Sequence, residues 1–316
     1  MPDQAQSRIP IVTIGGFLGS GKTTLINHVL RQTDDQRIVV FVNDFGAINI
    51  DYDLIETADT NRISLKNGCV CCTLNDDLIS SLKLFMDDTD RPDAFVIEAS
   101  GIADPRALDR SIALLEQTGS VRFDNRIYIV DADQFLNAGF EDAETIIDHA
   151  AAADLVLLNK QDLAAAADLQ SLEAVFAGSA PNSTVLHTCH CRCSLELILG
   201  QRLSSNRVFK TENPVEPLSG HHGFVSWSRE TKRKLDRSKF EQFVKYLAAT
   251  SYRAKGRIFF QNQTNQPRIF SMVGRRAVLE MARNDDAEQI SQIVAIGKAN
   301  SLDKTRLESW FEEMLR

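Results

Sequence analysis

Eight residues, Gly16-Phe17-Leu18-Gly19-Ser20-Gly21-Lys22-Thr23, set directly after the apolar run Ile9-Pro10-Ile11-Val12-Thr13-Ile14, constrain this chain more than any other feature. The run reads as a buried strand and Thr24-Leu25-Ile26-Asn27-His28-Val29-Leu30 as the helix after it, so the glycines fall in a tight strand-to-helix turn. Glycine at 16, 19 and 21 lets successive backbone N–H groups point inward around an anion, and the helix N-terminus adds its partial positive charge. In such a G-x-x-x-x-G-K-T loop the Lys22 ammonium reaches the outer phosphate oxygens and the Thr23 hydroxyl faces Mg²⁺, with Ser20 and Thr24 completing the cradle. A nucleoside triphosphate is the expected ligand. The competing reading, a glycine-rich turn without a ligand, leaves the order of strand, loop, lysine, threonine and helix unexplained.

Further short β-branched runs alternate with helical patterns, the signature of βαβ units. Strands are expected at 37–42, 94–99, 126–130, 154–159 and 184–187, and helices of 3.6-residue period at 76–85, 106–117, 143–152 and 169–176. The fold class this predicts is α/β: a P-loop, doubly wound, mostly parallel sheet over residues 1–203. The stretch 204–220, rich in Ser, Asn, Pro and Gly, reads as a linker. Residues 221–316 read as a smaller α+β domain, with strands at 223–228, 256–261, 268–273 and 293–296 and helices at 237–248 and 303–315.

Asn159-Lys160-Gln161-Asp162 ends the run Leu155-Val156-Leu157-Leu158, where a doubly wound sheet presents its ligand loops. The Asp162 carboxylate can accept from both N1–H and the exocyclic amine of guanine. Adenine offers neither donor there, and leaving the carboxylate unpaired costs roughly 1–3 kcal/mol. GTP is therefore expected over ATP. Phe95-Val96-Ile97-Glu98 ends in an acid with Gly101 three residues on, placing Glu98 near Mg²⁺ or the attacking water and Gly101 near the γ-phosphate. Asn43-Asp44-Phe45-Gly46, followed by Asp51, falls where a segment sensing γ-phosphate belongs, although Asn-Asp-x-Gly is also ordinary turn chemistry.

The six cysteines form two tight groups, Cys69/Cys71/Cys72 and Cys189/Cys191/Cys193, which suits metal or redox chemistry in a reducing compartment better than a disulfide framework. Thiolates select Zn²⁺, Cu⁺ and similar ions, so Cys69, Cys71 and Cys72 are expected to hold a transition metal, with Asp44 or a partner's side chain as fourth ligand. The rival readings are a redox pair and incidental buried thiols. If the segment after 184–187 continues as a strand, Cys189, Cys191 and Cys193 share one face with His187. They are then either a second soft-metal site or small buried residues lining the guanine pocket. His221-His222 could add a ligand, although a His pair at a domain edge is commonly solvated.

Taken in order, the Gly16–Thr23 loop, Asn43-Asp44-Phe45-Gly46, Gly68-Cys69-Val70-Cys71-Cys72, Glu98-x-x-Gly101 and Asn159-Lys160-x-Asp162 resemble the CobW-type metallochaperones among the P-loop GTPases. Tyr252-Arg253-Ala254-Lys255-Gly256 and Ala295-Ile296-Gly297 resemble that family's small C-terminal domain. The resemblance implies a GTPase using GTP and Mg²⁺ that carries Zn²⁺, or Co²⁺, at the cysteine motif to a client metalloprotein. Lys22, Glu98 and Gly101 would serve catalysis, and Asn159, Lys160 and Asp162 the base. The chain departs from the family's N-E-F-G-E pattern, with Asp44 and Ala47 at the two acidic positions. Rival readings are a cobalt or iron insertion GTPase and a metal sensor whose GTPase activity is vestigial.

Net charge is −8, divided as −15 over residues 1–220 (17 Lys/Arg against 32 Asp/Glu) and +7 over 221–316 (18 against 11). Nucleic-acid binding by the acidic part is not expected. Without a leader-like or membrane-spanning apolar run, the expected location is the cytoplasm, with no membrane partner. Monomer and homodimer both remain open.

Overall fold

β1 (Ile9–Gly16) is buried at every position except Pro10. A strand with no polar face belongs in the middle of a parallel sheet covered on both sides. The computed structural model, which describes residues 8–32, 36–42, 62–64, 73–86, 91–99, 104–199, 215–217, 224–261, 266–281 and 289–316, places it there. β1 pairs in parallel with β4 (Ala94–Glu98) on one side and β5 (Val121–Asp131) on the other. With β2 (Ile38–Val42), β3 (Arg62–Ser64), β6 (Leu155–Asn159) and β7 (Thr184–His187) it makes a seven-stranded parallel sheet of order β3-β2-β4-β1-β5-β6-β7. Each expected strand is present.

In this sheet, β3 and the first part of β5 lay beyond sequence reasoning. β3 has three residues, too short for any period to register, and β5 starts at Val121 rather than Arg126, where Arg122, Asp124 and Asn125 interrupt the apolar run that marks a buried strand. The Arg122 guanidinium lies 2.5 Å from the almost fully buried Asp124 carboxylate, which lets that polar stretch stay in the sheet.

Between the strands run helices Lys22–Arg31, Thr73–Met86, Asp109–Gln117, Phe140–Ala151 and Ala166–Ser179. Their apolar positions recur at helical spacing and are buried: Leu25, Ile26 and Val29 in the first, Leu78 and Leu82 in the second, Ile112 and Leu115 in the third. Each such side chain contributes about 1.5–3 kcal/mol of burial. The parallel order and intervening helices make the expected doubly wound P-loop NTPase fold.

The chain divides into two compact units, residues 8–192 and residues 193–316. The second carries an antiparallel sheet of order β12-β11-β10-β13-β9-β8, built from β8 (Val215–Pro217), β9 (Phe224–Thr231), β10 (Arg253–Ile258), β11 (Arg268–Val273), β12 (Arg276–Met281) and β13 (Ser291–Lys298). Helices Arg237–Thr250 and Lys304–Met314 join it around a core of Trp227, Phe240, Phe243, Phe260, Phe270 and Phe311. β8 falls inside the stretch read as a linker, and the short helix Leu195–Ile198, counted in sequence with the first domain, belongs to this unit. The reason is Arg253, 1 % exposed, whose guanidinium donates to the carbonyls of Leu197 and Ile198 at 3.1 and 3.2 Å. Such a long-range cap leaves no local signature. Among the described residues no helix is long and apolar enough to cross a membrane.

Candidate functional site

Because the strands are parallel, the ends of β1, β4, β5 and β6 open on one edge. The register aligns Ile14 with Glu98, Gly16 with Ile129 and Asp131 with Asn159, so the glycine loop, Glu98 and the Asn159 turn all lie along that edge. β1 also marks the place where chain connections turn from one side of the sheet to the other, the position at which open α/β sheets bind ligands.

In the loop, Gly16 and Gly21 have φ of 145° and 116°, left-handed backbone that disfavours side chains. A Cβ on Gly16 would lie 2.6 Å from the Ile129 carbonyl, and one on Gly21 2.6 Å from Asn159 Nδ2 and 2.7 Å from Cys191 Sγ. Among the described residues other than its chain neighbours, none has an atom within 4 Å of where a Cβ on Gly19 would lie. Lys22 is buried, and its ammonium donates to the carbonyls of Gly16 and Phe17 at 3.1 and 3.3 Å. Among the described residues the Ser20 hydroxyl is buried without a protein partner. Half-buried Thr23 and exposed Thr24 open the helix behind. A glycine cradle closed to side chains, with an ammonium curled over it and an orphaned hydroxyl inside it, fits a polyphosphate. Glu98, 2 % exposed at the end of β4, is the acid beside it.

Asn159 joins three parts of the protein. Its Nδ2 donates to the Ser20 carbonyl at 2.8 Å, while its Oδ1 accepts from Thr188 Oγ1 at 3.2 Å and from the Cys191 N–H at 2.9 Å. One side chain thus fastens the phosphate loop, the end of β6 and the turn after β7. Lys160 extends to Asp131, Nζ to carboxylate 2.6 Å, and Asp131 also caps the helix Ala132–Leu136 by accepting from the Gln134 N–H. The Gln161 N–H donates to the Thr188 carbonyl at 3.2 Å, holding the two turns side by side. Among the described residues, the non-glycine residues with positive φ are Lys160 (59°), His190 (52°) and Cys191 (52°), all in these two turns. Unfavourable backbone, about 1–2 kcal/mol per residue, is concentrated where the ligand loops meet.

That geometry corrects one expectation. The strand stops at His187, and the left-handed turn at His190 and Cys191 prevents Cys189, Cys191 and Cys193 from sharing a face with His187. The Cys191 thiol turns under the phosphate loop and donates to the Gly21 carbonyl at 3.3 Å, and burial pushes its pKa up to about 12. Cys193 is buried in the second unit. Cys189 instead lies with Asp162 and His190, their ligand atoms all within 4.8 Å of one another. The Cys189 thiol donates to the Asp162 carboxylate, which holds Asp162 below the usual carboxylate range and pushes the thiol up.

Asp44, Cys69, Cys71, Cys72, Gly101 and the pair His221-His222 lie outside the described residues. Sequence reasoning missed Thr188 and Asp131. An acid ending a strand adjacent to the Asn-Lys-x-Asp strand was the available signal for Asp131; the hydroxyl of Thr188 acquires its role only through the turn.

A parallel sheet whose glycine-lysine-threonine loop is fastened to an Asn-Lys-x-Asp turn at the switch point defines a P-loop nucleotide-binding protein. Residues 10–187 match the CobW/HypB/UreG nucleotide-binding domain, and residues 224–315 match the cobalamin synthesis protein cobW C-terminal domain. The chain belongs to the CobW/HypB/UreG family. It is 28% identical over 272 residues to the zinc chaperone CobW of a Sinorhizobium species, covering 77% of this chain and 74% of that one. It is 32% identical over 223 residues to the zinc chaperone YjiA of Escherichia coli, covering 68% and 67%. With the zinc-regulated GTPase metalloprotein activator 1 of Dictyostelium discoideum it shares 27% over 255 residues, 68% of this chain but only 53% of that one. The crystal structure of zinc-bound YjiA GTPase from E. coli aligns over 98% of this chain and all of that one at 22% identity, with a TM-score of 0.48.

Proposed function

We propose that this chain is a GTP-hydrolysing metallochaperone that carries Zn²⁺ at Cys69, Cys71 and Cys72 and couples its nucleotide state to delivery of the ion to a client metalloprotein. The observation that carries the nucleotide half is the Asn159 clamp, which ties the Ser20 carbonyl of the phosphate loop to the turn presenting Asp162. Phosphate and base are thereby read by one connected unit. Asp162 accepts from the guanine edge. Lys22 would exchange its loop carbonyls for phosphate oxygens, and Thr23 with Glu98 would hold Mg²⁺, which would supply positive charge against that developing on the phosphate oxygens. Gly101, three residues after Glu98 in the chain, would offer an N–H to the γ-phosphate.

The metal half is supported by membership of the family and by the names of the zinc chaperones it is similar to. Coupling is supported by chain order: Val42 pairs in register with Glu98, Asp44 follows two residues later, and Cys72 directly precedes the helix Thr73–Met86. The chain therefore leaves β2 next to Glu98, the acid proposed for Mg²⁺, shortly before it reaches Asp44, and nucleotide contacts at that edge would bias the proposed metal ligands.

The test is competition of the protein with a chromophoric chelator for Zn²⁺, and in parallel Co²⁺, in the nucleotide-free, GDP and non-hydrolysable GTP-analogue states, with phosphate release from GTP measured alongside. Different zinc affinities in the GDP and analogue states, lost in a Cys71→Ala/Cys72→Ala variant, are expected. Equal affinities in those two states would sink the coupling, and absence of phosphate release the enzyme.

A further inference from the structure

We infer that Asp162, Cys189 and His190 form a second zinc site whose occupation and guanine binding exclude one another. The inference rests on the reading of Asp162 as the residue that accepts from guanine. Carboxylate, thiol and imidazole are the three ligand types of zinc sites, and their ligand atoms here lie within 4.8 Å of one another, exceeding the ~3.5 Å ligand separation of tetrahedral zinc by no more than about 1.3 Å. Small side-chain rotations close that gap. Cys189 is half-buried and the other two are exposed, so an ion has a path in and keeps an open position for water.

The backbone that carries these groups is already fixed. Gln161 N–H to the Thr188 carbonyl, Thr188 N–H to the Leu158 carbonyl at 2.8 Å, and the two bonds into Asn159 Oδ1 hold the turns on either side of the cluster. His190 sits at φ 52°, a left-handed conformation paid for by those contacts. The mixed O, S and N donor set suits Zn²⁺ and Co²⁺, whereas Mg²⁺ takes oxygen ligands and would not be held by Cys189 and His190. On binding, the Cys189 proton leaves to solvent and the thiolate and one Asp162 oxygen go to the metal. The carboxylate can then no longer present both oxygens to N1–H and the amine of guanine. A nucleotide-free molecule would hold this ion and a guanine nucleotide would displace it, giving a metal response separate from the Cys69/Cys71/Cys72 motif.

The experiment uses the full chain carrying Cys69→Ser, Cys71→Ser and Cys72→Ser, titrated with Co²⁺ and Zn²⁺ alone, and a fluorescent GDP in constant excess Mg²⁺. Expected first is a thiolate-to-cobalt charge-transfer band that GDP abolishes and that is absent after Cys189→Ser. Zinc at ten times its own dissociation constant should raise the apparent Kd for GDP about elevenfold, and less than about twofold after Cys189→Ser or His190→Ala. A band that survives saturation with GDP, or a zinc effect that survives Cys189→Ser, overturns the inference. If zinc-free protein shows no preference for GDP over ADP, the guanine reading itself fails, which the cobalt band without nucleotide reports separately.

Discussion

Asn159→Ala should separate a fastening role from a ligand role. In the native fold the side chain is 2 % exposed and serves the Ser20 carbonyl at 2.8 Å, the Thr188 hydroxyl at 3.2 Å and the Cys191 N–H at 2.9 Å. Truncation strands two buried backbone groups, one donor and one acceptor, at about 1–3 kcal/mol each, so the loss of folding stability should be about 2–6 kcal/mol. Water entering the gap would bring it towards the lower figure. Asn159→Asp keeps the acceptor for Cys191 and Thr188 but sets a carboxylate against the Ser20 carbonyl, so it should destabilise through that contact alone. The assay is urea unfolding followed by far-UV circular dichroism, with tryptophan fluorescence recorded in parallel. Both tryptophans, Trp227 and Trp310, lie in the unit of residues 193–316, so fluorescence reports that unit while the Asn159 clamp is in the other. A loss under about 0.5 kcal/mol, or one confined to the tryptophan signal, would refute the clamp.

Gly21→Ala places a methyl 2.6 Å from Asn159 Nδ2 at φ 116°, and should cost about 2–4 kcal/mol in unfolding midpoint analysis along with loss of GDP binding by calorimetry. Asp162→Asn should reduce the preference for GDP over ADP by about tenfold or more in parallel titrations, from the roughly 1–3 kcal/mol of guanine pairing it removes. Burial holds the pKa of His149, packed on Tyr128 with Oη and Nδ1 3.5 Å apart, below its ordinary value. The unfolded chain therefore takes up that proton first, and stability should fall as pH drops below about 6.5. His149→Gln should flatten that slope in denaturation curves at pH 5 to 7, and an unchanged slope would count against it. Peptide mapping after iodoacetamide treatment near neutral pH should find Cys191, with its pKa raised to about 12, unmodified in the folded protein and modified once it is unfolded.

Strand-and-helix alternation was readable because burial on both faces of a parallel sheet demands continuous apolar runs, as in Leu155-Val156-Leu157-Leu158, and helices demand a period of 3.6. β3 and β12 were not readable: the first is too short, and the second is a six-residue edge strand with no buried position, whose apolar run Ala277-Val278-Leu279 is only three residues long between Arg276 and Glu280. At the site, the Gly16–Thr23 loop and the Asn159–Asp162 turn were legible because their ligand chemistry fixes residue type at fixed spacing. The cysteines at 189, 191 and 193 misled because alternation implies one face only in extended backbone, and left-handed φ at His190 and Cys191 ended that condition.

The sequence by itself determined the class of ligand: glycines, a lysine and a threonine in that order leave few chemistries open. It also determined the family, through motifs whose spacing is local. Only the tertiary structure decided that Asn159 holds the Ser20 carbonyl, 139 residues away in the chain, that Cys191 lies under Gly21, and that Cys189 faces Asp162 beside His190. Those relations join residues from different turns. No one-dimensional pattern carries them, because each distance is fixed by the packing of β1, β6 and β7 in one sheet.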